Sequence, residues 1–302
     1  MTTASETNPD AESRALDAAT LANLQGWAGR TETLNDNITA APVRGLSATL
    51  NRDDPAPMPG TALPPLWHWL YFLPQHRQRE IGPDGHARRG GFLPPVPLPR
   101  RMWAGGRLHW VQANPLVVGD AVQRTSHIES VTHKAGRTGD LLFVLVKHEV
   151  HNAKGLALTE EHDIVYRAAA RLGDPAAPPM AAEKGAVWQR EIAPDDVLLL
   201  RYSALTFNGH RIHYDRQYAT KVEGYPGLIV HGPLIATLLV DLLRCNTPGA
   251  FVKSFSFKAV RPTFDLHPFR LHGQPSANGR AVRLWAEDHE GWLTMQATAE
   301  LD

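Results

Sequence analysis

The chain has 302 residues, enough for one large domain or two ordinary ones, and its 43% hydrophobic and 21% charged content excludes wholesale disorder. Its 31 basic residues balance 31 acidic ones, which excludes a general electrostatic pull toward nucleic acid or an anionic membrane, so any anionic ligand must be met by a local cluster. Cys245 is the one cysteine, which excludes an intrachain disulfide and a multi-cysteine metal cluster and fits a reducing, cytoplasmic setting.

Residues 1–14 are polar and partly acidic and lack the basic-then-apolar pattern of a secretory signal, so they are expected to form a disordered tail. A first half is expected over 15–172. Its helix should be short or replaced, because Pro55, Pro57, Pro59, Pro64 and Pro65 punctuate the approach to the apolar run Leu66–Leu73, and a proline inside a helix costs roughly 3 kcal/mol. Gly90–Arg101 reads as a further proline-rich loop. Strands are expected at Leu108–Ala113, Ala121–His133, Leu141–Glu149 and Leu156–Arg167, with turns at Ala135-Gly136 and Asn152–Gly155. Residues 173–185 collect proline, alanine and glycine, the composition of a linker.

In the second half, 186–302, Pro233–Arg244 places Leu234, Leu238, Leu239, Leu242 and Leu243 at helical spacing, with Pro233 suited to the first turn. The apolar stretch Leu228–Leu243 is interrupted by His231, Gly232, Pro233 and Asp241 and falls short of the ~20 residues of a membrane span, so a buried helix is expected. Strands follow at Ser254–Val260, Phe269–Gly273, Ala281–Asp288 and Trp292–Ala299, with turn signals at Asn278-Gly279 and Glu290-Gly291. Asn114-Pro115-Leu116 and Arg261-Pro262-Thr263 hold like places after the first strand of each set. The two halves read as diverged copies of one α+β plan, an antiparallel sheet wrapped around a helix.

Chemistry-bearing residues are densest from Arg201 to Asp215, followed by Tyr225 and His231-Gly232-Pro233. His213 can exchange a proton near neutral pH, the Asn208 amide offers a donor and an acceptor to a water, and the Gly232 N–H at a helix start favours negative charge. Asp215 stands where a helix cap is expected. His210 and His213 could pair on a metal, but no carboxylate or cysteine completes a zinc pattern, so no metal is expected. His231 is left open between a packed core imidazole and a catalytic one.

Ile212-His213-Tyr214-Asp215, Tyr218-Ala219 and the His231-Gly232 pair before an apolar helix resemble the motif of R-specific enoyl-CoA hydratases and MaoC-type dehydratases. Aligned on His213, Asn208 stands where that family carries a catalytic aspartate. Trp27–Glu32, Pro64–Phe72 and Gly91–Trp103 look like the N-terminal half of double-hot-dog mesaconyl-C4-CoA or itaconyl-CoA hydratases, and Thr206–Asp215 is also similar to mitochondrial 3-hydroxyacyl-thioester dehydratases. The resemblance implies a double hot-dog fold and reversible hydration of a branched C5 dicarboxylyl-CoA to citramalyl-CoA. The first half would bind substrate and CoA without catalysing, and no cofactor beyond the CoA thioester would be needed.

On that reading His213 is the acid/base, Asn208 places the water and Gly232 supplies the oxyanion donor. Arg201, Tyr202, Phe207, Arg211, Tyr225 and His231 are the candidate substrate contacts, the arginines and tyrosines for the second carboxylate. Arg100, Arg101, Lys258 and Arg261 are the candidates for CoA phosphates, against the alternative of ordinary solvated charge. The rival readings are a fatty acyl 3-hydroxyacyl-thioester dehydratase and, because Asn208 is not a carboxylate, a catalytically silent acyl-CoA-binding protein. The expected partner is the small-molecule acyl-CoA, with neither nucleic acid nor membrane, and homo-oligomer formation is left open.

Overall fold

The computed structural model describes residues 16–136, 139–168 and 178–302. The expected tail at 1–14 and the 173–177 portion of the expected linker lie outside them. Among the described residues, ten strands form one antiparallel sheet: β1 (Thr31–Asn37), β2 (Arg100–Trp110), β3 (Ala121–Gly136), β4 (Gly139–Asn152), β5 (Gly155–Arg167), β6 (Trp188–Ile192), β7 (Val252–Ala259), β8 (Phe269–Pro275), β9 (Ala281–Glu287) and β10 (Leu293–Leu301). Their spatial order is β1-β3-β4-β5-β2-β7-β10-β9-β8-β6. The first five strands therefore repeat the order of the last five, and the halves join where their equivalent strands β2 and β7 pair antiparallel, with Leu108 opposite Phe255.

Inward and outward residues alternate as a sheet with one buried face requires. On β4, Leu142, Val144, Val146, His148 and Val150 are buried. β1 and β6 are the two sheet edges and escape the sequence reading, because Thr-Glu-Thr-Leu-Asn-Asp-Asn and Trp-Gln-Arg-Glu-Ile lack an apolar alternation. β2 corrects the expected loop Gly90–Arg101, since the strand already begins at Arg100.

The helices are α1 (Ala18–Gln25), α2 (Ala40–Thr49), α3 (Asp196–Leu205), α4 (Arg216–Lys221) and α5 (Gly232–Asn246). α5 is the expected central helix, with every residue from Leu234 to Leu243 buried. Such all-round burial requires a helix apolar on every face, as this one nearly is. Asp241 is its buried exception, neutralised by Arg52 at 2.7 Å and Arg190 at 2.7 Å. α2 follows β1 as α3 follows β6, and these helices pack together so closely that a Cβ on Gly45 would stand 2.7 Å from a methyl of Leu205.

The equivalent of α5 in the first half is the short 3-10 helix Trp67–Leu70. Its place is fixed by matching contacts: Ala62 bridges Val117 as Ile229 bridges Phe264, and Leu63 N–H donates to Leu116 O as Val230 N–H donates to Thr263 O. Pro64 and Pro65 precede it, and Leu66 (φ 71°) and Phe72 (φ 55°) adopt the left-handed region that stops a helix at either end. Of the expected linker, residues 178–185 lie against the second half: Leu293 N–H donates to Met180 O, Ala182 N–H donates to Gly291 O, and Ala181 bridges Trp292. The paired sheets and their central helical segments form an α+β double hot-dog. No helix among the described residues is long and apolar enough to cross a membrane.

Candidate active site

The site assembles where α3 ends, the 208–215 segment turns and α5 begins. Thr206 Oγ1 closes the last turn of α3 onto Tyr202 O, and Phe207, at φ 49°, reverses the chain. Asn208 N–H then donates to Ser203 O, and its side-chain Oδ1 accepts from His210 N at 3.0 Å, an Asx turn that aims the following histidines. A short 3-10 helix, Arg211–His213, carries His213 inward. Asp215 caps α4, accepting from Tyr218 N at 2.9 Å, as its position before a helix predicts.

His213 is buried, and its Nδ1 lies 2.7 Å from the carbonyl oxygen of Ile229. A carbonyl only accepts, so Nδ1 carries the proton and Nε2 keeps its lone pair. Burial pushes the His213 pKa down to about 4, so the ring is neutral at pH 7 and able to act as a base. The His231 ring stacks on it, with centroids 3.8 Å apart and planes 19° from parallel. His231 is completely buried, and its Nε2 is 2.8 Å from Ser203 Oγ, which holds the stack in place. Its neutral form is strongly favoured by burial, so it adds no charge beside His213. Gly232 opens α5 directly after it, with Pro233 in the first turn. The unpaired N–H groups of that turn and the helix dipole suit an oxygen that gains negative charge.

Two site residues escape the sequence reading: Asp84 and His86, from a turn of the first half inside a stretch rich in proline and glycine. His86 lies against His210 with centroids 4.0 Å apart and ring planes tilted by 41°, and His210 stands edge-on to His213 at 5.4 Å. The Asp84 carboxylate binds His86 Nδ1 at 3.0 Å, and this hydrogen bond holds it well below the usual carboxylate range despite burial. Burial pushes His210 down to about 2, and repulsion from the His86 and His213 rings when they are protonated adds to the effect. Ligand atoms of Asp84, His86 and His210 lie within 4.8 Å of one another, close enough to gather round a cation. Arg101 is near enough to repel positive charge on both imidazoles, which opposes a cation there. No local pattern in the sequence could link residues 84 and 210, which only the fold brings together.

The other candidate contacts separate. Arg201 faces solvent and Phe207 is 59% exposed. Tyr202 is buried, edge-on to His231 with ring centroids 5.1 Å apart. Arg211 is committed elsewhere: it pairs with Asp215 at 2.8 Å, donates to Pro83 O and covers the Tyr218 ring at 4.1 Å. Arg100 lies over Tyr225 at 5.3 Å and donates to Glu223 O, joining these two across the halves. Arg101 lies close enough to Tyr166 for its charge to favour the phenolate, and it pairs with no carboxylate among the described residues. Lys258 is placed apart from His213: strand alternation buries Phe257 and turns Lys258 outward, into a groove of about 760 Å³ on the outer face of the sheet with Arg107, Lys134 and Asp163. Arg261 faces Asp288 at 3.5 Å.

The fold and sequence have known counterparts. A solved MaoC-like dehydratase superimposes with a TM-score of 0.66 at 16% identity, covering 92% of this chain and 99% of the other, a likeness of fold. The mesaconyl-C(4)-CoA hydratase of Chloroflexus aurantiacus is 46% identical over 283 residues, covering 93% of this chain and 98% of the relative. The mitochondrial hydroxyacyl-thioester dehydratase type 2 of Schizosaccharomyces pombe is 26% identical, over 79% of this chain and 88% of its own. Residues 66–265, which include the whole His-rich site, match the family model of hydroxyacyl-thioester dehydratase type 2. The chain thus belongs to the hydroxyacyl-thioester dehydratase type 2 family of hydro-lyases.

Proposed function

We propose that this protein adds water reversibly to the double bond of mesaconyl-C4-CoA, giving citramalyl-CoA, with itaconyl-CoA as the isomeric alternative. The observation that carries the substrate is the 46% identity over nearly the full length of both this chain and the curated mesaconyl-C(4)-CoA hydratase. The chemistry rests on His213, whose Nδ1–H is anchored on Ile229 O and whose Nε2 remains an acceptor.

The steps follow from these positions. The water oxygen bonds the β-carbon while one water proton passes to His213 Nε2, and the π electrons move onto the thioester oxygen. The N–H groups at the start of α5, Gly232 among them, stabilise that oxygen. The imidazolium then returns its proton to the α-carbon, the enolate collapses to the thioester, and the enzyme is regenerated. Asn208, with Oδ1 engaged by His210 N, can offer its NH2 group to substrate or water. In mesaconyl-C4-CoA the second carboxylate sits on the β-carbon that water attacks, so its partner must lie beside the histidines. Arg101 meets that requirement, and Arg201 and Arg211 do not, because one faces solvent and the other is spent on Asp215.

The test is to incubate the purified protein separately with mesaconyl-C4-CoA, itaconyl-CoA and crotonyl-CoA and follow the gain of one water by mass. Turnover of a five-carbon substrate, lowered about 10²-fold or more in kcat by His213→Ala, is expected. Turnover of crotonyl-CoA alone would favour the fatty acyl dehydratase reading. Silence on all three would leave an acyl-CoA-binding protein.

A further inference from the structure

We propose that the first half contributes directly to catalysis: His86, backed by Asp84, holds the reacting water beside His213. The inference rests on the hydratase reading and concerns the water rather than the acyl group.

Water that adds to a double bond has two O–H groups. One gives up its proton, and the other needs an acceptor if the oxygen is to be aimed at the β-carbon. His213 Nε2 takes the first. Asn208 Oδ1 already receives His210 N–H within its Asx turn, which leaves it a single lone pair for any further donor. His86 is suited to the second. An ionised carboxylate only accepts, so His86 Nδ1 must donate to Asp84 Oδ2, and in the neutral ring Nε2 is left with its lone pair. Burial depresses the pKa of His86, which favours that neutral form at pH 7. The His210 ring links His86 to His213, with its centroid 4.0 Å from that of His86 and 5.4 Å from that of His213.

The turn that carries the pair is built onto the second half rather than resting beside it. Arg211 N–H donates to Asp84 O at 2.9 Å, and the Arg211 guanidinium donates to Pro83 O at 2.9 Å. Gly85, at φ 89°, approaches so closely that a Cβ there would stand 1.8 Å from Gly209 O, so only glycine fits. Within the turn, Gly82 N–H donates to His86 O, and Asp84 Oδ1 accepts from His86 N at 3.0 Å. Both Asp84 oxygens are thus used to orient His86, and the tilted ring contact with His210 at 4.0 Å packs its other side. In the reaction His86 neither gains nor loses a proton: it accepts a hydrogen bond from the O–H that becomes the product hydroxyl.

The experiment measures kcat and KM on an enoyl-CoA that the wild type hydrates, for the full-length chain and three variants, with thermal unfolding recorded for each. His86→Phe keeps a ring against His210 and removes Nε2, and kcat is expected to fall about 10²-fold with KM changed less than about threefold. His86→Gln restores a side-chain acceptor and should recover part of that loss. Asp84→Asn frees the tautomer of His86 and should lower kcat about tenfold. A His86→Phe protein with wild-type kcat overturns the proposal while leaving the hydratase reading intact. So does activity abolished by a chelator and restored by zinc, which would assign Asp84, His86 and His210 to a metal. A wild type silent on every enoyl-CoA overturns both.

Discussion

The two halves share one strand order but fill their interiors by opposite means. Beneath α5 the second half is apolar: Ala299 and Val282 occupy the inward row that continues across β10 and β9 from the Leu108–Phe255 pair. The same row in the first half runs through Glu160, His148 and Ser126. Glu160 is 3% exposed and receives His68 Nε2 at 2.9 Å, His162 Nε2 at 2.6 Å and Trp69 Nε1 at 2.8 Å. His148 joins the chain to Ser126 Oγ at 2.8 Å. A long apolar helix can press against an apolar sheet face, whereas the four-residue Trp67–Leu70 segment cannot cover as much of it. The first half instead uses directional polar contacts, which fix a unique arrangement but tolerate the loss of a partner poorly.

The comparison is broken most forcefully at Glu160. Glu160→Ala strands two imidazoles and an indole N–H without their acceptor, and a loss of about 3–5 kcal/mol is expected in denaturant unfolding, as for other buried pairs that lose one partner. In the second half, Leu239→Ala opens a cavity in α5, at a residue with no exposed surface, and should cost about 2–5 kcal/mol. A Glu160→Ala protein as stable as the wild type would show that the polar network is incidental to stability.

A milder probe is pH. Burial holds the folded pKa values of His148, His213 and His231 below the ordinary 6.5, and the histidine partners of Glu160 hold its carboxyl below the ordinary 4.5. Above pH 6.5 these groups have the same charge in folded and unfolded chains, and their contribution to stability is fully present. As pH falls below 6.5 the unfolded chain takes up histidine protons that the folded chain refuses, and below 4.5 the same holds for Glu160. Tm should therefore fall from pH 6.5 downward. The acid limb of kcat/KM should follow the His213 pKa of about 4, and a limb near 6.5 would show that His213 is solvated in the working enzyme.

Much of the second half is legible because its signals are local. Pro233 and the leucine spacing announce α5, the Asn-Gly and Glu-Gly turns mark the last hairpins, and Asp215 stands one residue before the helix it caps. The edge strands β1 and β6 were not legible, since a strand paired on one side needs no apolar alternation. Lys258 qualifies as a phosphate contact by its charge alone, while its position on the outer face follows from the register of β7 against β2. Asp84 and His86 were passed over because a polar residue in a glycine-rich turn looks like any other loop residue until the fold brings it to a partner.

By itself the sequence determined the twofold plan, the central helix of the second half, and the motif that places His213 and Asn208 before His231-Gly232. These depend on periodicity and on residues close in the chain, where side-chain spacing and backbone preference decide the outcome. Only the tertiary structure decided that the first half replaces its helix with a charged interior, that Arg211 is spent on Asp215, and that Asp84 and His86 join His210 across more than a hundred residues. Those outcomes turn on which faces of distant segments meet, and neither charge nor spacing along the chain contains that information.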